Sequence, residues 1–152
     1  MSQLDGFFSL RTPRELLEKL EHDFERLRSA GATTQAAQYA AFDFFVSAEH
    51  LPDWVKAASS GTLSQNRSYA DGALVSHVAN GAKHFCVDAN RHVEARETMV
   101  VPEAFQANAF QNDAFQTGQL VIEMEDGAVV AVLDVARRVL SHWQVALNAP
   151  DH

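Results

Sequence analysis

From Leu16 onward apolar residues recur at helical spacing, with Leu16, Leu17, Leu20, Phe24 and Leu27 on one face. Thr12-Pro13-Arg14-Glu15 ahead of them reads as a capping box, the hydroxyl accepting an N3 amide and the glutamate reaching back. Proline at the first helical position forfeits nothing, since its missing donor would be unpaired there. Gly31 ends the run. Thr33 and Thr34 open a second helix, whose apolar face is Ala37, Ala40, Ala41, Phe44, Phe45, Ala48 and Leu51. Pro52 is expected to stop or kink it, because the ring clashes with the preceding turn, and Asp53-Trp54-Val55 to begin a short continuation before a loop at Ser59-Ser60-Gly61. A third helix is predicted over about 67–88. It carries Leu74, Val78, Ala82 and Phe85 on one face and His77, Asn80, His84 and Asp88 on the far one. Gly81 weakens its middle by roughly 1 kcal/mol against alanine, and the helix is read as continuous.

The texture changes from Thr98. Ala-Phe-Gln recurs at 104, 109 and 114, a period that turns Phe105, Phe110 and Phe115 to different faces of a helix and alternates sides on a strand. Three copies are too few for a solenoid, so the segment reads as a loop pinned by phenylalanines. Leu120, Ile122 and Met124 then alternate with Glu123 and Glu125, a half-buried strand. Asp126-Gly127 signals a hairpin turn, and Ala128 to Leu133 the returning strand. Val135, Ala136, Val139, Leu140, Trp143 and Leu147 mark an amphipathic last helix. The pattern as a whole predicts a mainly α bundle of four to five helices, with a small antiparallel β-hairpin near 119–133 inserted before the last helix. Residues 1–11 form an arm, and 12–149 a single domain.

Composition narrows the function classes. A chain of 152 residues is long enough to bury a core without staples. Twelve basic against twenty acidic side chains give −8, which disfavours RNA as a partner because phosphate binding needs cations. The single cysteine, Cys86, excludes a disulfide framework and points to the cytoplasm; between Phe85 and Val87 it reads as a buried, inert thiol. No apolar run approaches the roughly 20 residues of a membrane helix, and no secretory signal opens the chain. Phosphate-binding glycine loops, paired-cysteine motifs and nucleophile elbows are absent.

One segment carries a hint of chemistry. His77, Asn80, His84 and Asp88 have the bland reading of a solvated helix face. Two histidines seven apart that bracket Asn-Gly, poor helix material, point instead to a dimer-facing or ligand-facing stripe. Ala79-Asn80-Gly81-Ala82-Lys83-His84 resembles the signature of the HEPN superfamily, helical bundles whose motif runs arginine, a polar residue often asparagine, a short spacer, then histidine. A second element, His50-Leu51-Pro52-Asp53-Trp54, resembles a His-Leu-x-Asp-Trp stretch in uncharacterised bacterial proteins of that kind, so the resemblance covers residues 36–88.

The resemblance implies a homodimer whose motif lies at the dimer cleft. In active members it implies metal-free RNA cleavage, with Asn80 and His84 in the catalytic places and no cofactor. Arginine would stabilise phosphate charge and histidine would serve acid–base work on the ribose hydroxyl. The arginine place here holds Ala79, which offers no phosphate clamp. The expectation is therefore a non-catalytic, dimeric binding or assembly module with a possible protein partner, and His77, Lys83, Asp88, His50, Asp53 and Trp54 as its binding residues. The first alternative is a divergent ribonuclease of a defence or toxin system, with Lys83 or Arg91 in the arginine's role. The second is a metal-binding bundle using His50, Asp53, His77 and His84, a mixed imidazole/carboxylate set suited to zinc or iron. Arg137 and His142 also satisfy an arginine-to-histidine spacing. With nine arginines and seven histidines, about one such match arises by chance, and dipole interaction explains Arg137 and Arg138.

Overall fold

The computed structural model describes residues 6–31, 34–59, 66–84, 95–101 and 119–148. Within them run α1 (Pro13–Ser29), α2 (Gln35–Ala58), α3 (Gly72–His84), β1 (Ala95–Val101), β2 (Gln119–Met124), β3 (Val129–Ala131) and α4 (Val132–Asn148). The protein is mainly helical, with an antiparallel hairpin directly before its last helix, as the hydrophobic pattern predicts.

The predicted capping box closes α1. Thr12 Oγ1 accepts the Glu15 amide at 3.2 Å, and Glu15 Oε2 accepts the Thr12 amide at 2.8 Å and the Arg11 amide at 2.7 Å. The Arg11 amide above all holds the Glu15 carboxyl below the usual carboxylate range. Thr34 caps α2 in the same way, accepting the Ala37 amide at 3.2 Å. Contacts run in opposite order along the two helices, Lys19 with Ser47 and Arg26 with Asp43, so α1 and α2 form an antiparallel hairpin. Asp23, 1% exposed, sits between them. Its Oδ2 accepts from Lys19 Nζ at 2.5 Å and lies 3.0 Å from the Ser47 hydroxyl, while Arg26 approaches Oδ1 at 3.4 Å.

Four departures from the sequence pattern have physical causes. Pro52 does not stop α2; it is buried inside a helix that continues to Ala58. Tertiary packing there outweighs a penalty of roughly 3 kcal/mol. The third helix starts at Gly72 rather than near Arg67, after a turn in which the Gly72 amide donates to Tyr69 O at 2.9 Å. Any Cβ at Gly72 would lie 2.1 Å from Arg67 O, so only glycine allows so tight an entry. The returning strand is just Val129–Ala131, and Val132 and Leu133 already belong to α4. The turn is a three-residue loop in which only Gly127 has positive φ (82°), closed by its amide on Met124 O at 3.0 Å and supported by Asp126 Oδ1, which accepts the Ala128 amide at 2.8 Å.

The fourth departure is a further strand. β1 pairs antiparallel with β2, giving the order β1-β2-β3 with β2 central. Leu120 and Ile122 join the helical core, and Val121, on the other face of the strand, is buried as well. The Ala-Phe-Gln repeats, Cys86, Asp88 and Arg91 lie outside the described residues. At the other end, in the expected arm, Phe7 and Leu10 exchange backbone hydrogen bonds of 2.9 Å.

One core cluster draws on α1, α2, α3, β2 and α4, with Phe44 at its centre, 0% exposed and flanked by Phe24 and Phe45 at 6.3 and 5.6 Å between ring centroids. Phe44→Ala should lower the unfolding free energy in urea by about 3–5 kcal/mol. A loss under about 1 kcal/mol would mean that the site collapses around the deletion and that the core is not centred there.

Candidate functional site

α3 is placed by its entrance. The turn before it is fastened to α2 and α4 by side chains of alternating chemistry. Asn66 Nδ2 donates to Pro52 O at 3.3 Å, and Arg67 reaches Glu49 at 3.1 Å and Asp53 at 3.5 Å. Asp71 receives two hydrogen bonds from Arg138, at 2.8 and 3.1 Å, and holds the guanidinium pKa above its ordinary value. Tyr69 stacks on His142 with centroids 4.3 Å apart and rings 8° from parallel, and meets Trp143 edge-on at 5.6 Å. Burial pushes the Tyr69 hydroxyl up to about 12, and burial likewise lowers His142. One turn into α3, Ser76 Oγ donates to Glu49 Oε2 at 2.7 Å.

This arrangement fixes which sides of α3 point where. Leu74, Val75, Ser76 and Ala79 are buried, while Val78 and Ala82, expected on the core face, are only half-buried. The core face is thus rotated toward Val75 and Ala79, because α3 packs against α2 through Ser76 and Glu49. His77, Asn80 and His84 share the outward side, three and four residues apart; His84 is exposed and the other two half-buried. Gly81 does not interrupt the helix. Lys83 and His84 occupy its last turn, where a cation is favoured by the helix dipole.

The motif's arginine place therefore has a definite environment. Ala79 is 5% exposed, a packing residue. Of the candidates for its replacement, Arg91 lies outside the described residues, and Lys83 is exposed in the last turn, next to His84 and three residues from Asn80. Arg67, which sequence reasoning did not single out, is committed to Glu49 and Asp53 at the opposite end, five residues before α3 begins, and the helix itself separates Gly72 from His84 by about 18 Å. Arg137 pairs with Asp134 at 2.8 Å on the solvent side, whereas His142 turns to Tyr69, so their sequence spacing brings no shared site.

On α2, His50 and Asp53 are exposed and Trp54 is partly buried against the core. Among the described residues no three His, Cys, Asp or Glu side chains converge to hold a metal ion. This corrects the set His50, Asp53, His77 and His84: Asp53 turns to Arg67, and the two histidines of α3 lie on its outer side. Sequence reasoning also missed Glu49, the carboxylate that α3 and its entrance share. Its spacing of four from Asp53 puts both on one helical face, the only signal available.

Comparison with family models, with curated proteins and with solved structures finds no match to this chain. No described helix is long and apolar enough to cross a membrane.

Two outcomes follow from this geometry. Ala79→Arg should destabilise the protein by about 2 kcal/mol or more, because the guanidinium must enter a buried position; an unchanged urea midpoint would show that the side chain escapes to solvent. For His142, burial depresses the folded-state pKa below the unfolded value, so its contribution to stability is complete above the unfolded pKa near 6.5 and is lost as pH falls through the folded one. His142→Gln should flatten the fall in urea midpoint between pH 7 and pH 5. Identical slopes in both proteins would place that pH dependence elsewhere.

Proposed function

We infer that the chain is a HEPN-like helical bundle serving as a non-catalytic binding or assembly module, and that it works as a homodimer. The observation that carries this reading is the two-sidedness of α3. Ala79, in the arginine place, is buried, while His77, Asn80 and His84 form a polar stripe on the opposite side of the helix. Such a stripe can donate and accept hydrogen bonds to a partner surface. Ala79 supplies no guanidinium to stabilise charge developing on a phosphate, the step on which metal-free cleavage of RNA depends. Arg67 is neutralised by two carboxylates and the net charge is −8, both of which oppose phosphate binding.

The test is RNA cleavage by the purified protein in EDTA, wild type beside His84→Ala. Neither should cleave, and wild type should sediment as a dimer at micromolar concentration. Cleavage by wild type that His84→Ala abolishes would replace this reading with the metal-independent ribonuclease. A monomer would remove the assembly role.

A further inference from the structure

Among the described residues two pairs of large aromatic side chains are left facing solvent, and they sit at opposite ends of the α1–α2 hairpin. The first is Phe7 and Phe8, 63% and 83% exposed, packed edge-on to each other at 4.7 Å just before α1. They are presented by a tight turn in which Phe8 has φ of 52°, a left-handed conformation that bulky residues avoid. The turn is nonetheless locked by the paired hydrogen bonds between Phe7 and Leu10. An exposed aromatic pair held in a strained backbone is a feature that solubility alone does not favour. The second pair is Tyr39 and Phe42, 58% and 52% exposed, on the side of α2 that faces away from the core.

We propose that the Phe7–Phe8 turn of one copy docks on the Tyr39–Phe42 face of a second copy, and the reverse, in a two-fold dimer. Three observations carry it. Within one chain the pairs cannot meet: α1 is antiparallel to α2 and spans 17 residues, about 25 Å, between the turn and the level of Tyr39, and among the described residues no ring contact joins them. Two copies lying side by side in opposite directions bring each turn level with the other's aromatic face, so the contact closes on itself without leading to a filament. The area is also adequate: at roughly 200 Å² per aromatic side chain, the exposed fractions give about 500 Å² per copy and about 1,000 Å² for two, the lower bound of a specific interface.

The proposal rests on the dimeric part of the reading above. It supplies an apolar anchor that the polar stripe of α3 lacks.

Sedimentation of the full chain at micromolar concentration tests it, with two double variants. Phe7→Ser with Phe8→Asn keeps a residue tolerant of positive φ in the turn. Tyr39→Ser with Phe42→Ser alters only exposed positions. Each variant alone should weaken the dimer roughly thirtyfold or more, with thermal unfolding unchanged. Mixed in equal amounts, the two should recover a heterodimer, because one turn and one aromatic face remain intact and complementary. Variants that dimerise as well as wild type would overturn this interface while leaving a dimer elsewhere. Variants that are monomeric without recovery on mixing would show that the two pairs do not meet. A monomeric wild type would overturn the inference and the dimeric reading together. If that monomer also floated with phosphatidylcholine vesicles and lost this on Phe7→Ser with Phe8→Asn, the turn would belong to a lipid surface.

Discussion

The buried carboxylate of Asp23 sets the geometry on which the rest of the molecule depends. A charge taken out of water is tolerated only where donors meet it. Here Lys19, Arg26 and the Ser47 hydroxyl do so from two helices. Beside Asp23 the ring of Phe44 on α2 lies 6.3 Å from that of Phe24 on α1, so the apolar and the polar contacts fix one register together. Once the register is fixed, the C-terminal half of α2 offers Glu49 and Asp53 to the next segment, and the two ends of the hairpin lie apart.

The entrance to α3 repeats the device with opposite signs. Arg67 meets Glu49 and Asp53 on α2, and Asp71 meets Arg138 on α4, so the short segment 66–71 is tied to two different helices. Exposed ion pairs contribute little singly. Here they act with the Tyr69–His142 stack and the Asn66 hydrogen bond on one short segment, and their joint effect is positional.

The helices, both threonine caps and the final hairpin were legible in the sequence, because each has a local cause: Thr12 with Glu15 for α1, Thr34 for α2, Gly127 for the turn. What was not legible has non-local causes. Pro52 stays helical because its surroundings bury it. The start of α3 at Gly72 depends on Arg67 O standing 2.1 Å from where a side chain would go. β1 exists through pairing with residues eighteen to twenty-nine positions away. At the candidate site, the outward grouping of His77, Asn80 and His84 followed from helical periodicity alone. The burial of Ala79 and the roles of Glu49 and Arg67 did not, since each depends on which helix α3 meets.

That distinction bears on how the stripe is held. The sequence of α3 is a weak helix by itself, with Asn80-Gly81 in its last half and 13 residues in all. Its order comes from outside: Ser76 on Glu49, the clamped turn ahead of it, Leu74 and Val75 in the core, and Ala79, buried one turn further on. The helix also meets β1. Packing thus holds α3 on the side opposite His77, Asn80 and His84, and a helix too short to be stable alone keeps the three at fixed spacing on one side.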